Sequence, residues 1–113
     1  MFQSRAGSYT NASDRRLKRD IVDVPYGLAE VLKMQPRKYT MIQEETTHIG
    51  CIAQELAELV PECVEKGAND DTNPNGYPIN PWGIDLASLT SVLCKAIQKL
   101  KSELDQLRSL ISQ

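Results

Sequence analysis

Aromatic side chains are scarce in this chain, and so are the features that mark a metal, membrane or nucleotide protein. One Phe, one Trp and four Tyr make up 5% of its 113 residues. The single Phe, Phe2, lies in a polar stretch, so any core has to be built mainly from aliphatic side chains. No apolar run approaches the roughly 20 residues that a membrane-spanning helix needs, and no signal-peptide pattern opens the chain. No partner membrane is expected. Cys51, Cys63 and Cys94 are odd in number and match no metal-knuckle spacing. They read as buried free thiols of a reducing compartment. There is no glycine-rich phosphate cradle, so no nucleotide is expected as cofactor. The net charge of −2 gives no bulk attraction for nucleic acid.

What remains is ordinary for a soluble domain: 41% hydrophobic and 25% charged residues, enough for one small core. Residues 1–12 (MFQSRAGSYTNA) are polar, small and aperiodic, and read as an arm or the tail of a preceding domain. Ser13 to Val24 reads as an extended segment or short strand, ended by Asp23-Val24-Pro25. Its cluster Arg15, Arg16, Lys18 and Arg19 reads as a solvated basic face. Tyr26 to Met34 follows as a short helix, with Leu28, Val31 and Leu32 on one side. Arg37 to Met41 is a strand and Ile42 to Thr47 a polar turn. His48 to Ala53 is a second strand that leads into a helix over Gln54 to Val60. Cys63 to Glu65 is a further short strand.

Residues 66–83 hold three of the six Pro and three of the six Gly, and read as a long functional loop. Asn69, Asp70, Asp71 and Asn73 offer oxygen ligands there. The distant bidentate Glu of a calcium loop is missing, so no metal is expected.

The last element is the longest. Residues 84–112 read as one helix of about 40 Å, capped by Asp85. A heptad register places Leu86, Leu93, Leu100 and Leu107 at d, with Thr90, Ile97, Leu104 and Ile111 at a. Seven of those eight positions are aliphatic, the pattern of a coiled-coil seam that needs a partner. The fold class expected is α+β, a small mixed unit of short strands and helices followed by a long helix in a homotrimeric coiled coil.

Three blocks carry a resemblance. The first is Ser13-Asp14-Arg15-Arg16-Leu17-Lys18, followed by Ile21. The second is His48-Ile49-Gly50-Cys51-Ile52-Ala53-Gln54-Glu55, with Val60-Pro61-Glu62 and Val64. The third is Ile84-Asp85, leading to Ala96-Ile97-Gln98-Lys99-Leu100. Together they resemble the peptidase S74 family, the C-terminal intramolecular chaperones of phage tail spikes, tail fibres and neck appendages. Residues 13–113 are then the chaperone domain, and residues 1–12 the end of a β-rich shaft.

The resemblance implies a domain that trimerises with itself, helps the fused shaft to fold, and then releases itself by cutting its own chain. The cut implied is Ala12-Ser13, with Ser13 as nucleophile and Lys18 as general base. A hydroxyl needs a base to become a nucleophile. Lysine serves only when burial or nearby positive charge lowers its pKa toward neutrality. Asp14, His48, Gln54 and Glu55 are candidate supporting residues. Asp14 reads as a cap on the following turn or as a group that holds Lys18, and His48 as a locally bonded strand residue or as a group that orients Ser13 or donates to the oxyanion. Gln54 and Glu55 read either as strand-to-helix packing or as groups that orient basic side chains. The implied location is the host cytoplasm during virion assembly. Two readings compete: a non-catalytic trimerisation module that stays attached, and an adaptor whose coiled coil binds another protein.

Overall fold

A polar turn between two short runs rich in threonine and apolar residues builds a hairpin at the centre of the sequence. In the computed structural model, which describes residues 2–5 and 8–112 and their side chains from Ala12 to Ser112, strand β3 is Arg37–Met41 and β4 is Thr46–Gly50. They pair antiparallel in the register Arg37↔Gly50, Tyr39↔His48, Met41↔Thr46. The connecting turn closes through Glu45 N–H donating to the Met41 carbonyl at 2.7 Å, with Glu45 at φ 54°. Upstream, strands β1 (Phe2–Arg5) and β2 (Ser8–Asn11) also pair antiparallel, where the sequence shows no periodicity.

The core lies between the long helix and a short helical corner. Helix α1 is Leu28–Val31, entered at Gly27, whose N–H donates to the Glu30 carboxylate at 2.7 Å. Helix α2, Ala53–Ala57, is followed by a 3₁₀ turn at Pro61–Cys63, a position where proline's missing N–H costs nothing. Leu56, Val60, Cys63 and Val92 form the buried cluster, with Val60 fully shielded. Val24, Tyr26, Val31 and Met34 cover one flank of it. Burial pushes the Cys63 thiol above its ordinary pKa, aided by the nearby Asp85 and Glu62 carboxylates. A thiol in that state packs as a small hydrophobe rather than reacting.

Strands β5 (Val64–Glu65) and β6 (Gly83–Ile84) pair and pin both ends of the 66–83 loop at the root of the long helix. The loop is ordered from within. Asn73 Oδ1 accepts from Asn75 N–H at 2.9 Å and Tyr77 N–H at 3.1 Å, and Asn69 Oδ1 accepts from Asp71 N–H and Asn80 Nδ2 at 3.0 Å. Side-chain oxygens spent this way satisfy backbone donors that no ladder reaches. A side chain at Gly67 would meet the Asn80 carbonyl at 1.9 Å, so only glycine lets the two limbs close.

Helix α3, Leu86–Ile111, starts two residues later than the expected boundary because Ile84 is held in the β5–β6 ladder. Asp85 caps it, accepting from Ser88 N–H at 3.2 Å and Ser88 Oγ at 2.7 Å. Its inward face is Leu89, Val92 and Ala96, and α1 packs beside it. The heptad seam is a different face and is uncovered, with Leu86 68%, Ile97 67% and Ile111 75% exposed. From Ile97 to Ser112 every residue is exposed. The mixed unit followed by a long C-terminal helix is the α+β arrangement expected.

Leu56→Ala is expected to cost about 3 kcal/mol, read as a lower midpoint in urea with an unchanged slope. The Ser88 hydroxyl and amide hold the Asp85 carboxyl below its usual pKa. The stability it confers is therefore full above the ordinary carboxylate range and lost as pH falls through the lowered folded value. Asp85→Ala should melt below wild type at neutral pH, and the gap should close in acid.

Candidate active site

The segment Ala12 to Asp20 is built around one carboxylate. Asp14 stays extended at φ −67° and ψ 134°, and its Oδ1 accepts from Arg16 N–H at 2.8 Å. That bond caps a single 3₁₀ turn, Arg15–Leu17, closed by Leu17 N–H to the Asp14 carbonyl at 3.0 Å and Lys18 N–H to the Arg15 carbonyl at 3.1 Å. An extended segment was expected over Ser13 to Val24. The cap converts its first part into a turn, and the remainder finds no neighbouring strand to pair with, so no strand forms.

The turn folds Lys18 back toward Ser13. Lys18 Nζ donates to Ser13 Oγ at 2.7 Å, across five residues. A full α-turn is not needed, because the tight turn shortens the path and the four-carbon stem spans the rest. In this protonation state the amine is the donor. Loss of one proton from Nζ turns the same contact into a hydroxyl donating to an amine, the ground state of general-base activation. Ser13 and Lys18 are both exposed in the single chain, and the apolar neighbours Leu17, Ile21 and Val22 are uncovered too. Downstream, Asp20 at φ 55° swings the chain away.

The basic residues beside the pair are all exposed, as a solvated face requires, and two of them also reach neighbouring carboxylates. Arg16 forks onto Asp14, with Nε to Oδ1 at 3.1 Å and Nη2 to Oδ2 at 2.8 Å. Its guanidinium holds the Asp14 carboxyl below the usual range, and Asp14 in turn raises Arg16. Arg19 lies 3.7 Å from Asp20. Among the described residues Lys18 makes no ion pair. Reading the arginines as plain positive charge overlooked the Asp14–Arg16 pair. The Asp-x-Arg spacing at a helix cap was the available signal.

The other candidates sit on the hairpin and α2. His48 faces Tyr39 across the ladder, ring centroids 6.2 Å apart, and its Nε2 lies 2.9 Å from Thr46 Oγ1. Glu55 receives Arg37 in a fork, 3.1 Å from Nε to Oε1 and 2.7 Å from Nη2 to Oε2, tying β3 to α2. Gln54 is exposed in the first turn of α2, beside an open groove that includes Lys33, Gln35 and Glu58. No hydrogen bond among the described residues links His48, Gln54 or Glu55 to Ser13 or Lys18. Gly50 has a packing reason in this block: a side chain there would press on the Tyr39 hydroxyl at 3.2 Å.

Residues 13–65 match the model of the Peptidase S74 family, described as chaperone of endosialidase. The match opens on Ser13 and closes on Glu65 at the end of β5, just under half of the chain.

The Arg37 hydrogen bonds hold the Glu55 carboxyl below its ordinary pKa. The link therefore contributes fully above the ordinary carboxylate range and is lost as pH falls through the lowered value. Glu55→Gln should speed amide hydrogen exchange in β3 and β4 at neutral pH. The variant should lack the acid-side loss of protection that the wild type shows.

Proposed function

We propose that this chain, whose residues 13–65 are a Peptidase S74 segment, is a C-terminal intramolecular chaperone that trimerises, guides a fused fibre or spike shaft to its folded trimer, and releases itself between Ala12 and Ser13. The observation that carries the catalytic part is the 2.7 Å contact between Lys18 Nζ and Ser13 Oγ. The family match supports the chaperone role and the fused shaft as partner.

The chemistry is a single turnover. Neutral Lys18 takes the hydroxyl proton as Ser13 Oγ attacks the Ala12 carbonyl carbon. The C–N bond between Ala12 and Ser13 breaks, and the Lys18 ammonium returns the proton to the leaving nitrogen, which is Ser13's own amine. The Ala12 acyl group is left as an ester on Ser13 Oγ. Water then hydrolyses it, giving an Ala12 carboxylate and a new N-terminus at Ser13. No cofactor enters these steps.

Assembly supplies the missing desolvation. The pair is exposed in one chain, next to Leu17, Ile21 and Val22. A neighbouring copy that covers those side chains also covers Lys18, and burial favours the neutral amine. The α3 seam is the surface that brings copies together. Each Leu or Ile it buries contributes roughly 1.5–3 kcal/mol. Cleavage then reports a completed trimer, in the host cytoplasm during virion assembly. A non-catalytic trimerisation module that stays attached is the second reading, since the exposed seam favours it equally.

Intact mass spectrometry of the chain fused behind its shaft separates the readings. Wild type should release a piece beginning at Ser13, and Ser13→Ala or Lys18→Ala should slow release about a thousandfold or more. Release that survives both substitutions would eliminate the dyad. Leu100→Glu with Leu107→Glu should give monomers by light scattering and abolish release. Monomers that cut at the wild-type rate would refute control by assembly.

A further inference from the structure

We propose that the Asp14–Arg16 ion pair positions and electrostatically isolates the Ser13–Lys18 pair: it braces the capped turn that presents Lys18 and keeps the Asp14 carboxylate from pairing with Lys18. The proposal rests on the self-cleavage reading.

Asp14 directly follows Ser13 and stands four residues before Lys18. Lys18 Nζ rests 2.7 Å from the hydroxyl of Ser13, the residue directly before Asp14, so the Asp14 carboxylate stands one residue from the amine's partner. An Asp14–Lys18 pair is thus the obvious alternative contact, and a base could not use it. A carboxylate beside the amine favours the ammonium and postpones the proton loss that attack on Ala12 requires. Arg16 wins the carboxylate by geometry. Oδ1 accepts both the Arg16 backbone N–H at 2.8 Å and Nε at 3.1 Å, while Oδ2 accepts Nη2 at 2.8 Å and Nε at 3.3 Å. A lysine cannot match that planar fork, and a guanidinium never releases its proton to leave the carboxylate free.

A stabilising role does not account for the pair. The Arg16 side chain is 89% exposed, and exposed ion pairs contribute little to folding. Its effect falls on the turn and on Lys18. Among the described residues of the same segment the other charges are Arg15, Arg19 and Asp20, with Arg19 held toward Asp20 at 3.7 Å. Asp23 is drawn to Lys95 of α3 at 3.6 Å. Asp14 is therefore the carboxylate best placed to capture Lys18 once Arg16 is gone.

The test measures initial rates of appearance of the piece beginning at Ser13, against pH, for the full chain behind its shaft. Arg16→Gln should raise the rising limb of the pH–rate profile by about half a unit to one unit, as an added carboxylate beside an amine does. At neutral pH the variant should cut about three- to tenfold more slowly, since a shift of that size lowers the neutral fraction in proportion. Arg16→Gln combined with Asp14→Asn keeps a capping side chain but removes the charge, and should return the limb to the wild-type position. Arg16→Lys, lacking the fork, should lie between Arg16→Gln and wild type. A limb unmoved in Arg16→Gln, or equally raised in the double variant, overturns the proposal. Wild-type cleavage that Ser13→Ala and Lys18→Ala abolish, together with an unmoved limb, sinks this role of the ion pair alone. Cleavage that persists in Lys18→Ala sinks the dyad itself.

Discussion

Helix α3 carries two apolar faces, and a single chain can cover only one of them. Leu89, Val92 and Ala96 turn inward and close a core whose buried members are otherwise Leu56, Val60 and Cys63. The face bearing Ile97, Leu100, Leu104, Leu107 and Ile111 is left exposed among the described residues. A core this small holds the short elements in place but cannot also shelter a 26-residue helix. The rest of the molecule follows from that imbalance. Short strands and single-turn helices gather around the root of α3, and the pinned loop returns to it through β5 and β6.

The same imbalance extends to the segment that carries Ser13 and Lys18. Its turn buries no residue, and its geometry comes from local bonds: the Asp14 cap, two backbone hydrogen bonds and the Arg16 fork. Local bonds are enough to bring an amine to a hydroxyl. They cannot supply the low-dielectric surroundings that leave a lysine unprotonated at neutral pH. In the proposed mechanism geometry is present in the monomer and electrostatics arrive with the trimer. On that proposal a chain carries its own cutting residues without cutting early.

Arg37–Glu55 and Asp14–Arg16 are both forked ion pairs on exposed surface, yet they do different work. The first spans 18 residues and ties the hairpin to α2, so it is part of the scaffold. The second spans two residues, and in the proposal above it shapes the environment of Lys18. His48, bonded within its own hairpin to Thr46 and facing Tyr39, belongs with the scaffold in the single chain.

Periodicity alone determined the elements whose partners are near in sequence or whose pattern is long. The strand Arg37–Met41 alternates and is bounded by Pro36 and a polar turn, and the heptads and the Asp85 cap define α3 to within two residues. The Ser13–Lys18 pair was legible through its motif and its spacing, although the spacing could not say that the atoms meet. Only the tertiary structure decided which face of α3 turns inward, because a stripe at helical period does not say what it packs against. It also decided that Arg16, though exposed, pairs with Asp14, and that Ile84 ends a strand instead of beginning the helix. Each of these outcomes is a competition between partners for one group. A sequence names the competitors, while distance in three dimensions selects the winner.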